Sequence, residues 1–238
     1  MGLDITTRRP GQRPVRSLVD LLRERAAAQG EDLAYAFLAD GEVAARLTYA
    51  ELDARARAWG AVLAEAGVQG ERACLLFPPG LDFVAAFLGC LYAGAVAVPA
   101  PPPRRRRADP RLQAILADAR PRVVLTSEGG LATLAGAIAG TPDGAALRGL
   151  TPPPVELAAS WRELSPDPES VAFLQYTSGS TSIPKGVRVS HGNLLDNEER
   201  IGLAFEQSPS SVVLGWLPLY HDMGLIGNVL QPLWAGAP

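Results

Sequence analysis

The stretch "RACLLFPPGLDFVAAFLGCLYAGAVAVP", residues 72–99, places three apolar runs in succession. The first run, "RACLLF", ends at two prolines and a glycine and has the length of a buried strand, whereas "LDFVAAFLGCLYAG" is long enough for a buried helix. "AVAVP" then has the composition of a second strand. This order predicts a strand–helix–strand unit in which both strands are parallel.

The residues before this unit carry strong signals for two helices and a hairpin. Ser17 is suited to cap a helix over 18–29, which has leucines at helical spacing. Asp40-Gly41 is a typical two-residue turn between two short strands. Thr48 and Glu51 have the spacing of a capping box and predict the start of a second helix.

The alternation of strand and helix continues on the other side. Helices are predicted near 110–119 and 128–139, with the strand "RVVLTS" between them. The pattern from residue 72 to about 140 therefore predicts an α/β fold with a largely parallel, helix-covered sheet. A proline-rich connection over 140–169 follows.

The last third of the chain is predicted to contain further strands and helices. Strands are expected at 171–176, in "GVRVS" and at 212–217, with helices from about residues 191 and 225. The strands at 171–176 and 212–217 are expected to leave apolar edges exposed, which favours aggregation or dimerisation.

Composition excludes several classes of protein. The 238 residues carry a formal charge of −3, which gives no reason to expect a nucleic-acid partner. Cys74 and Cys90 lie in apolar stretches and are interpreted as buried, reduced thiols of a cytoplasmic protein. With His191 and His221, which the sequence places far from them, they do not have the spacing of metal ligands. No apolar run is long enough to cross a membrane.

The loop "TSGSTSIPKG", residues 177–186, is rich in hydroxyl groups and glycine and contains Lys185, the single lysine among 22 basic residues. Backbone N–H groups and hydroxyls in such a loop can converge on one anion, and glycines remove the Cβ atoms that would block it. A lysine adds a compact, mobile positive charge. The loop is therefore predicted to bind a polyphosphate.

Other interpretations of this loop are weaker. A Walker A loop needs glycine before the lysine and a helix after it, but Pro184 precedes Lys185 and the strand-like "VRVS" follows. Neither the dinucleotide pattern GxGxxG nor the hydrolase pattern GxSxG occurs. A flexible Ser/Thr/Gly linker stays open as an alternative.

Four stretches together resemble the adenylate-forming (acyl-activating) superfamily. "YTSGSTSIPKGVRVSHGNLL" is similar to its signature loop, and "GWLPLYHDMGLIG" at 215–227 is similar to the next core motif in its fatty acyl-AMP ligase form. "VAVPAPPPRRRR" and "LTYAELDARARAWGAVL" also resemble that subgroup. Ser182 stands where many members carry glycine, a position at which fatty acyl-AMP ligases vary.

The resemblance implies an ATP-dependent reaction in which a fatty acid becomes acyl-AMP, with Mg²⁺ accompanying the nucleotide. The acyl group would then pass to an acyl carrier protein. Residues implied to hold the ATP phosphates are Thr177, Ser178, Gly179, Ser180, Thr181, Ser182, Lys185 and Gly186, with Thr181 the implied hydroxyl nearest Mg²⁺. Lys185 and His221 are the implied catalytic residues, and His221, Asp222, Met223 and Gly224 the implied substrate pocket.

Other parts of the chain are interpreted structurally. His191, at the start of a helix, is expected to be structural. The arginine run 104–107 is interpreted as a solvated loop, with a docking patch for an acidic carrier protein as the alternative.

The family is well over twice as long as this chain, which predicts a truncated N-terminal domain without the C-terminal lid. Residues 1–160 would form a first α/β subdomain, and residues 161–238 the beginning of a second one that contains the phosphate loop. Three alternatives stay open: a catalytically inert fragment, a binding module, and a portion of an acyl-CoA synthetase or amino-acid-activating relative.

Overall fold

The structure, a computed structural model, describes residues 15–103, 109–138, 141, 147–177 and 184–238. Its helices are α1 Leu18–Gln29, α2 Tyr49–Glu65, α3 Leu81–Tyr92, α4 Pro110–Ala119, α5 Glu128–Ala137, α6 His191–Ala204 and α7 Gln231–Ala235. Its strands are β1 Leu33–Ala39, β2 Glu42–Thr48, β3 Arg72–Leu76, β4 Val96–Pro99, β5 Val123–Thr126, β6 Arg148–Leu150, β7 Val171–Thr177 and β8 Lys185–Ser190. A 3-10 helix, Val155–Ser160, and a π-helix, Met223–Leu230, complete the elements.

A six-stranded sheet in the order β6-β5-β3-β4-β7-β8 dominates the structure. The pairs β3–β4, β3–β5, β4–β7 and β5–β6 are parallel. A parallel neighbour requires a long crossover, whereas few residues separate β7 from β8, so this last pair runs antiparallel. The predicted β3–α3–β4 unit and the largely parallel α/β sheet are thus confirmed.

The described chain divides into two interleaved compact units. One comprises residues up to 54, 165–170 and 190–238, and the other 55–164 and 171–189. This division differs from consecutive subdomains at 1–160 and 161–238, but it does not test the subdomain boundary of the family, which stays a prediction.

Local signals in the first unit act as expected. The side chain of Ser17 accepts the N–H of Asp20 at the start of α1. Asp40 and Gly41, at φ 52° and 85°, form the left-handed turn that joins β1 and β2. Thr48 and Glu51 make both bonds of a capping box, at 2.9 and 3.2 Å.

The second unit packs α3 tightly against α2. A Cβ atom at Gly89 would lie 2.2 Å from Cβ of Trp59, so only glycine permits this approach of the two helices. Trp59 in turn packs edge-on against Phe77, with ring centroids 6.4 Å apart. Cys74 and Cys90 are buried and free, as predicted, and burial raises the pKa of Cys74 to about 12.

Three predictions about the second half of the chain are wrong. The connection 140–169 contains β6 and the 3-10 helix; β6 has three residues and forms by pairing with β5, so its own sequence carries little signal. Residues 212–217 form no strand, because the described residues offer them no strand to pair with. The apolar edge expected at 171–176 is not exposed, because β7 lies between β4 and β8 and is largely buried.

Candidate functional site

The hydroxyl- and glycine-rich loop connects two neighbouring strands of the sheet. Thr177 is the last residue of β7, and Lys185 is the first residue of β8. Both side chains are exposed at the ends of hydrogen-bonded strands. Ser178, Gly179, Ser180, Thr181 and Ser182 lie outside the described residues. The strand after Lys185 confirms that this is not a Walker A loop, which would lead into a helix.

Tyr176 contacts the far end of this loop. A Cβ atom at Gly186 would lie 3.0 Å from Cζ and 3.1 Å from the hydroxyl oxygen of Tyr176, so the ring approaches Gly186 closely. The same hydroxyl donates to Oδ2 of Asp118 across 2.5 Å. Burial, and then the bond to Asp118, raises the pKa of Tyr176 above its ordinary value. The phenol therefore stays protonated and keeps donating.

The end of α4 that carries Asp118 is held by a second residue. The guanidinium of Arg72, on β3, donates to the carbonyl oxygens of Ala119 at 2.8 Å and Arg120 at 3.2 Å. Arg120 adopts the left-handed conformation that ends the helix. Arg72 therefore connects the end of α4, next to Asp118, to β3 of the six-stranded sheet.

His221 and Asp222 form the other group of predicted site residues, in the other compact unit. Nδ1 of His221 lies 2.6 Å from Oδ1 of Asp222, and the His221 side chain is 62% exposed. The same carboxylate oxygen accepts the N–H of Met223 at 2.7 Å. An N–H at Nδ1 would donate to Asp222 and leave Nε2 as the nitrogen that can meet a ligand.

Gly224 has a packing reason for being glycine. A Cβ atom there would lie 2.2 Å from the carbonyl oxygen of Pro218, because the turn before the π-helix runs directly against it. Met223, which precedes it, is 66% exposed. These two residues therefore differ: one permits close backbone contact and the other presents its side chain to the surface.

The sequence alone assigns no individual role to Tyr176, the first residue of the predicted anion-binding stretch, and does not select Asp118. The position of Tyr176, directly before the hydroxyl-rich loop, could have drawn attention to it. Asp118 lies 58 residues away, and nothing in the sequence connects it with the loop. The arginine run 104–107 lies outside the described residues. Within the described ranges, no cluster of His, Cys, Asp and Glu could hold a metal ion, and no helix is long and apolar enough to cross a membrane.

These features define an α/β protein in which a loop suited to anions joins the last two strands of the sheet. Residues 22–238 match the model of the AMP-binding enzyme family. The chain belongs to that family.

Relatives with named activities agree with this assignment. The chain is 41% identical over 229 residues to a medium-chain fatty acid–[acyl-carrier-protein] ligase of Moorena producens, a match that covers 93% of the chain and 39% of the relative. It is 37% identical over 225 residues to a long-chain fatty acid–AMP ligase of Mycolicibacterium smegmatis, covering 91% of the chain and 36% of that protein. The chain thus spans less than half the length of these relatives.

A solved structure extends the comparison to three dimensions. The fatty acyl-adenylate ligase of L. pneumophila, in complex with acyl adenylate and pyrophosphate, superposes with a TM-score of 0.86 at 39% identity. The match covers 93% of this chain and 38% of that one. The fold is therefore that of the corresponding part of an adenylate-forming enzyme.

Proposed function

We propose that this chain carries the triphosphate-binding part of a fatty acyl-AMP ligase, which activates a fatty acid with ATP. The observation that supports this most directly is the pair of exposed groups, the Thr177 hydroxyl and the Lys185 ammonium, at neighbouring strand ends. The family membership and the relatives described above support the same reaction.

The proposed reaction needs no protein nucleophile. A carboxylate oxygen of the fatty acid attacks the α-phosphorus of ATP, the bond from that phosphorus to the bridging oxygen of the β-phosphate breaks, and pyrophosphate leaves with the electron pair. Acyl-AMP is the other product. Holding the phosphates in line and neutralising their charge is then the main contribution of the protein.

We assign that contribution to the loop. Lys185 would neutralise charge that accumulates on the departing pyrophosphate, and its position at the start of β8 keeps the flexible side chain at the loop. The phosphate-binding set is Thr177, Ser178, Gly179, Ser180, Thr181, Ser182, Lys185 and Gly186. Mg²⁺ would enter with ATP, with Thr181 as the nearest hydroxyl.

His221 would orient the fatty-acid carboxylate. Its contact with Asp222 occupies Nδ1 and leaves Nε2 for the substrate. Met223 and Gly224 would contribute to the wall of the acyl pocket, Met223 through its exposed side chain. The acyl group would then be transferred to the thiol of an acyl carrier protein in the cytoplasm, the kind of acceptor named for the relative from Moorena producens.

Titration of the 238-residue chain with MgATP, followed by calorimetry, tests the loop assignment. Lys185→Ala should weaken binding about tenfold or more, because a charge-assisted bond is removed. Arg188→Ala is the matched control, since Arg188 is an exposed cation on the same strand. This variant should bind MgATP with wild-type affinity. Equal affinities for all three proteins would refute the assignment.

A second assay addresses activation itself. Exchange of labelled pyrophosphate into ATP that depends on a fatty acid would support the ligase, and exchange without this dependence would refute it. MgATP binding with no exchange would favour the alternative of an inert fragment or binding module. Transfer of the acyl group to a carrier protein or to coenzyme A, from added acyl-AMP, separates the ligase from an acyl-CoA synthetase.

A further inference from the structure

We infer that Tyr176, held by Asp118, is a positioning residue that anchors both ends of the Thr177–Gly186 loop. The inference rests on the proposed function only for its consequence, the strength of triphosphate binding. The anchor itself is a property of the described residues, all of which belong to one compact unit.

Tyr176 is placed to act on both loop ends at once. Its backbone directly precedes Thr177, and its ring lies against Gly186, the residue after Lys185. The ring is buried, with 6% of the residue exposed, so its position is set by the core. A shift of this one side chain would therefore change the separation of the two residues proposed to meet the phosphates.

The hydroxyl bond holds the outer end of the ring, in addition to its packing in the core. A phenol that donates to a carboxylate makes a charge-assisted bond, which is stronger than a bond between neutral groups. Asp118 supplies that carboxylate at 2.5 Å, and Arg72 holds the helix end through the carbonyl oxygens of Ala119 and Arg120. The anchor thus extends from β3 through the end of α4 to the loop.

Gly186 completes the arrangement because it has no side chain. A Cβ atom would sit 3.0 to 3.3 Å from three atoms of the Tyr176 ring, tighter than ordinary van der Waals contact. Gly186→Ala should therefore displace the ring or the loop end. The glycine was predicted as a phosphate ligand, and the structure adds a second reason for it.

The sequence itself provides a probe for this anchor. Lys185 is the only lysine, so endoproteinase Lys-C can cut the chain at one bond, between Lys185 and Gly186. Proteases cleave folded proteins through local opening, and the rate follows the population of the open form when reclosing is fast. The rate of this single cleavage reports how firmly the loop end is held.

Without nucleotide, Tyr176→Phe should be cut about tenfold faster than the wild type, because the charge-assisted bond to Asp118 is lost while the ring remains. Asp118→Leu, which removes the other partner of the bond, should accelerate cleavage to a similar extent. Asp118→Asn should retain most of the protection that the wild type has. In Tyr176→Phe, the further change Asp118→Leu should add little, since the two residues act as a pair.

Tyr35→Phe is the matched control. The Tyr35 hydroxyl donates to the carbonyl oxygen of Val229 across 2.6 Å and is also buried, but it belongs to the other compact unit. Equal acceleration in Tyr35→Phe and Tyr176→Phe would mean that general destabilisation is responsible and would overturn the inference. Wild-type cleavage rates in both Tyr176→Phe and Asp118→Leu would overturn it as well.

Added MgATP separates the anchor from the proposed function. In the wild type, MgATP should slow cleavage, and Tyr176→Phe should need about tenfold more nucleotide for the same protection. Faster cleavage of the variant with no effect of MgATP on either protein would leave the anchor standing and refute the proposed function. Protection by MgATP with identical curves for both proteins would refute the anchor alone.

Discussion

The backbone N–H of Leu18 donates to Nδ1 of His191 across 3.4 Å, so that a buried imidazole satisfies the first turn of α1. The first N–H groups of a helix have no partner within the helix, and a side chain that accepts one of them stabilises it. His191 is 3% exposed, which confirms the structural interpretation of this residue. Nδ1 can accept only while it carries no proton.

This arrangement predicts a loss of stability in acid. Burial lowers the pKa of His191 from 6.5 to about 4. The folded state therefore binds fewer protons than the unfolded state between these values. The neutral imidazole of His191 therefore makes its full contribution to stability above pH 6.5. This contribution falls as the pH is lowered to about 4, by about 3 kcal/mol in total.

Urea denaturation at several pH values measures this loss. His191→Gln should have a lower free energy of unfolding than the wild type at pH 7, and this difference should shrink as the pH falls toward 4. The control is His221→Gln, whose imidazole is exposed, and it should follow the wild-type curve. A constant difference between His191→Gln and the wild type at every pH would contradict the prediction.

Glu198 predicts the opposite pH dependence. It is fully buried on α6, where the amide nitrogen of Gln231, suitably oriented, lies 2.6 Å from Oε2, and Oε1 has no partner within the described residues. Burial raises the pKa of Glu198 from 4.5 to about 8. The folded state here binds more protons, so the contribution is complete below pH 4.5 and is lost as the pH rises through 8.

Glu198→Gln should remove that loss, because an amide keeps the shape and the hydrogen bond without a charge. We expect the variant to be about 4 kcal/mol more stable than the wild type at pH 8 and close to it at pH 4.5. Glu199→Gln, at an exposed position beside it, is the control and should change neither value. The sign fails if Glu198→Gln is destabilised more at pH 8 than at pH 4.5.

Arg25 predicts a large effect of a conservative change. Its guanidinium donates to the carbonyl oxygens of Leu233, at 3.1 Å, and Trp234, and it is 1% exposed. Arg25→Lys should lower the free energy of unfolding by about 2–3 kcal/mol, because an ammonium cannot reproduce the planar fork and leaves a buried carbonyl unsatisfied. Thermal melting of Arg200→Lys, an exposed pair with Asp196, should match the wild type.

Local chemistry explains which elements could be predicted. Asp109 accepts the N–H groups of Arg111 and Leu112, and α4 occupies the predicted residues 110–119, because a cap and the apolar spacing are both read within one helix. The hairpin at Asp40-Gly41 is equally local.

Interactions between distant residues explain the remainder. Arg25 meets Leu233 across 208 residues, and no pattern around either residue marks the contact. The contact between Tyr176 and Asp118 likewise joins residues far apart in the sequence, 58 positions from each other. For the candidate site, the sequence therefore predicted the loop and its chemistry. The residues inferred to position that loop, Tyr176 and Asp118, could be recognised only in the structure.

The segment 212–217 supports the prediction of self-association. Val212, Leu214 and Trp216 alternate along it and are 78%, 73% and 88% exposed. Between them, the N–H of Val213 donates to the carbonyl oxygen of Pro238 at 3.0 Å, and a Cβ atom at Gly215 would collide with Asn228. Three large apolar side chains within five residues are thus presented to solvent, which favours association with another chain.

Sedimentation velocity over a range of concentrations tests this. The wild type should form dimers or larger species as its concentration rises, and the triple variant Val212→Ser, Leu214→Ser, Trp216→Ser should remain monomeric with little change in melting temperature, since exposed side chains contribute little to the fold. Val43→Ser, at an exposed apolar position on β2, is the control and should associate as the wild type does. A wild type that stays monomeric at high concentration would show that alternation and exposure along this segment do not suffice for association.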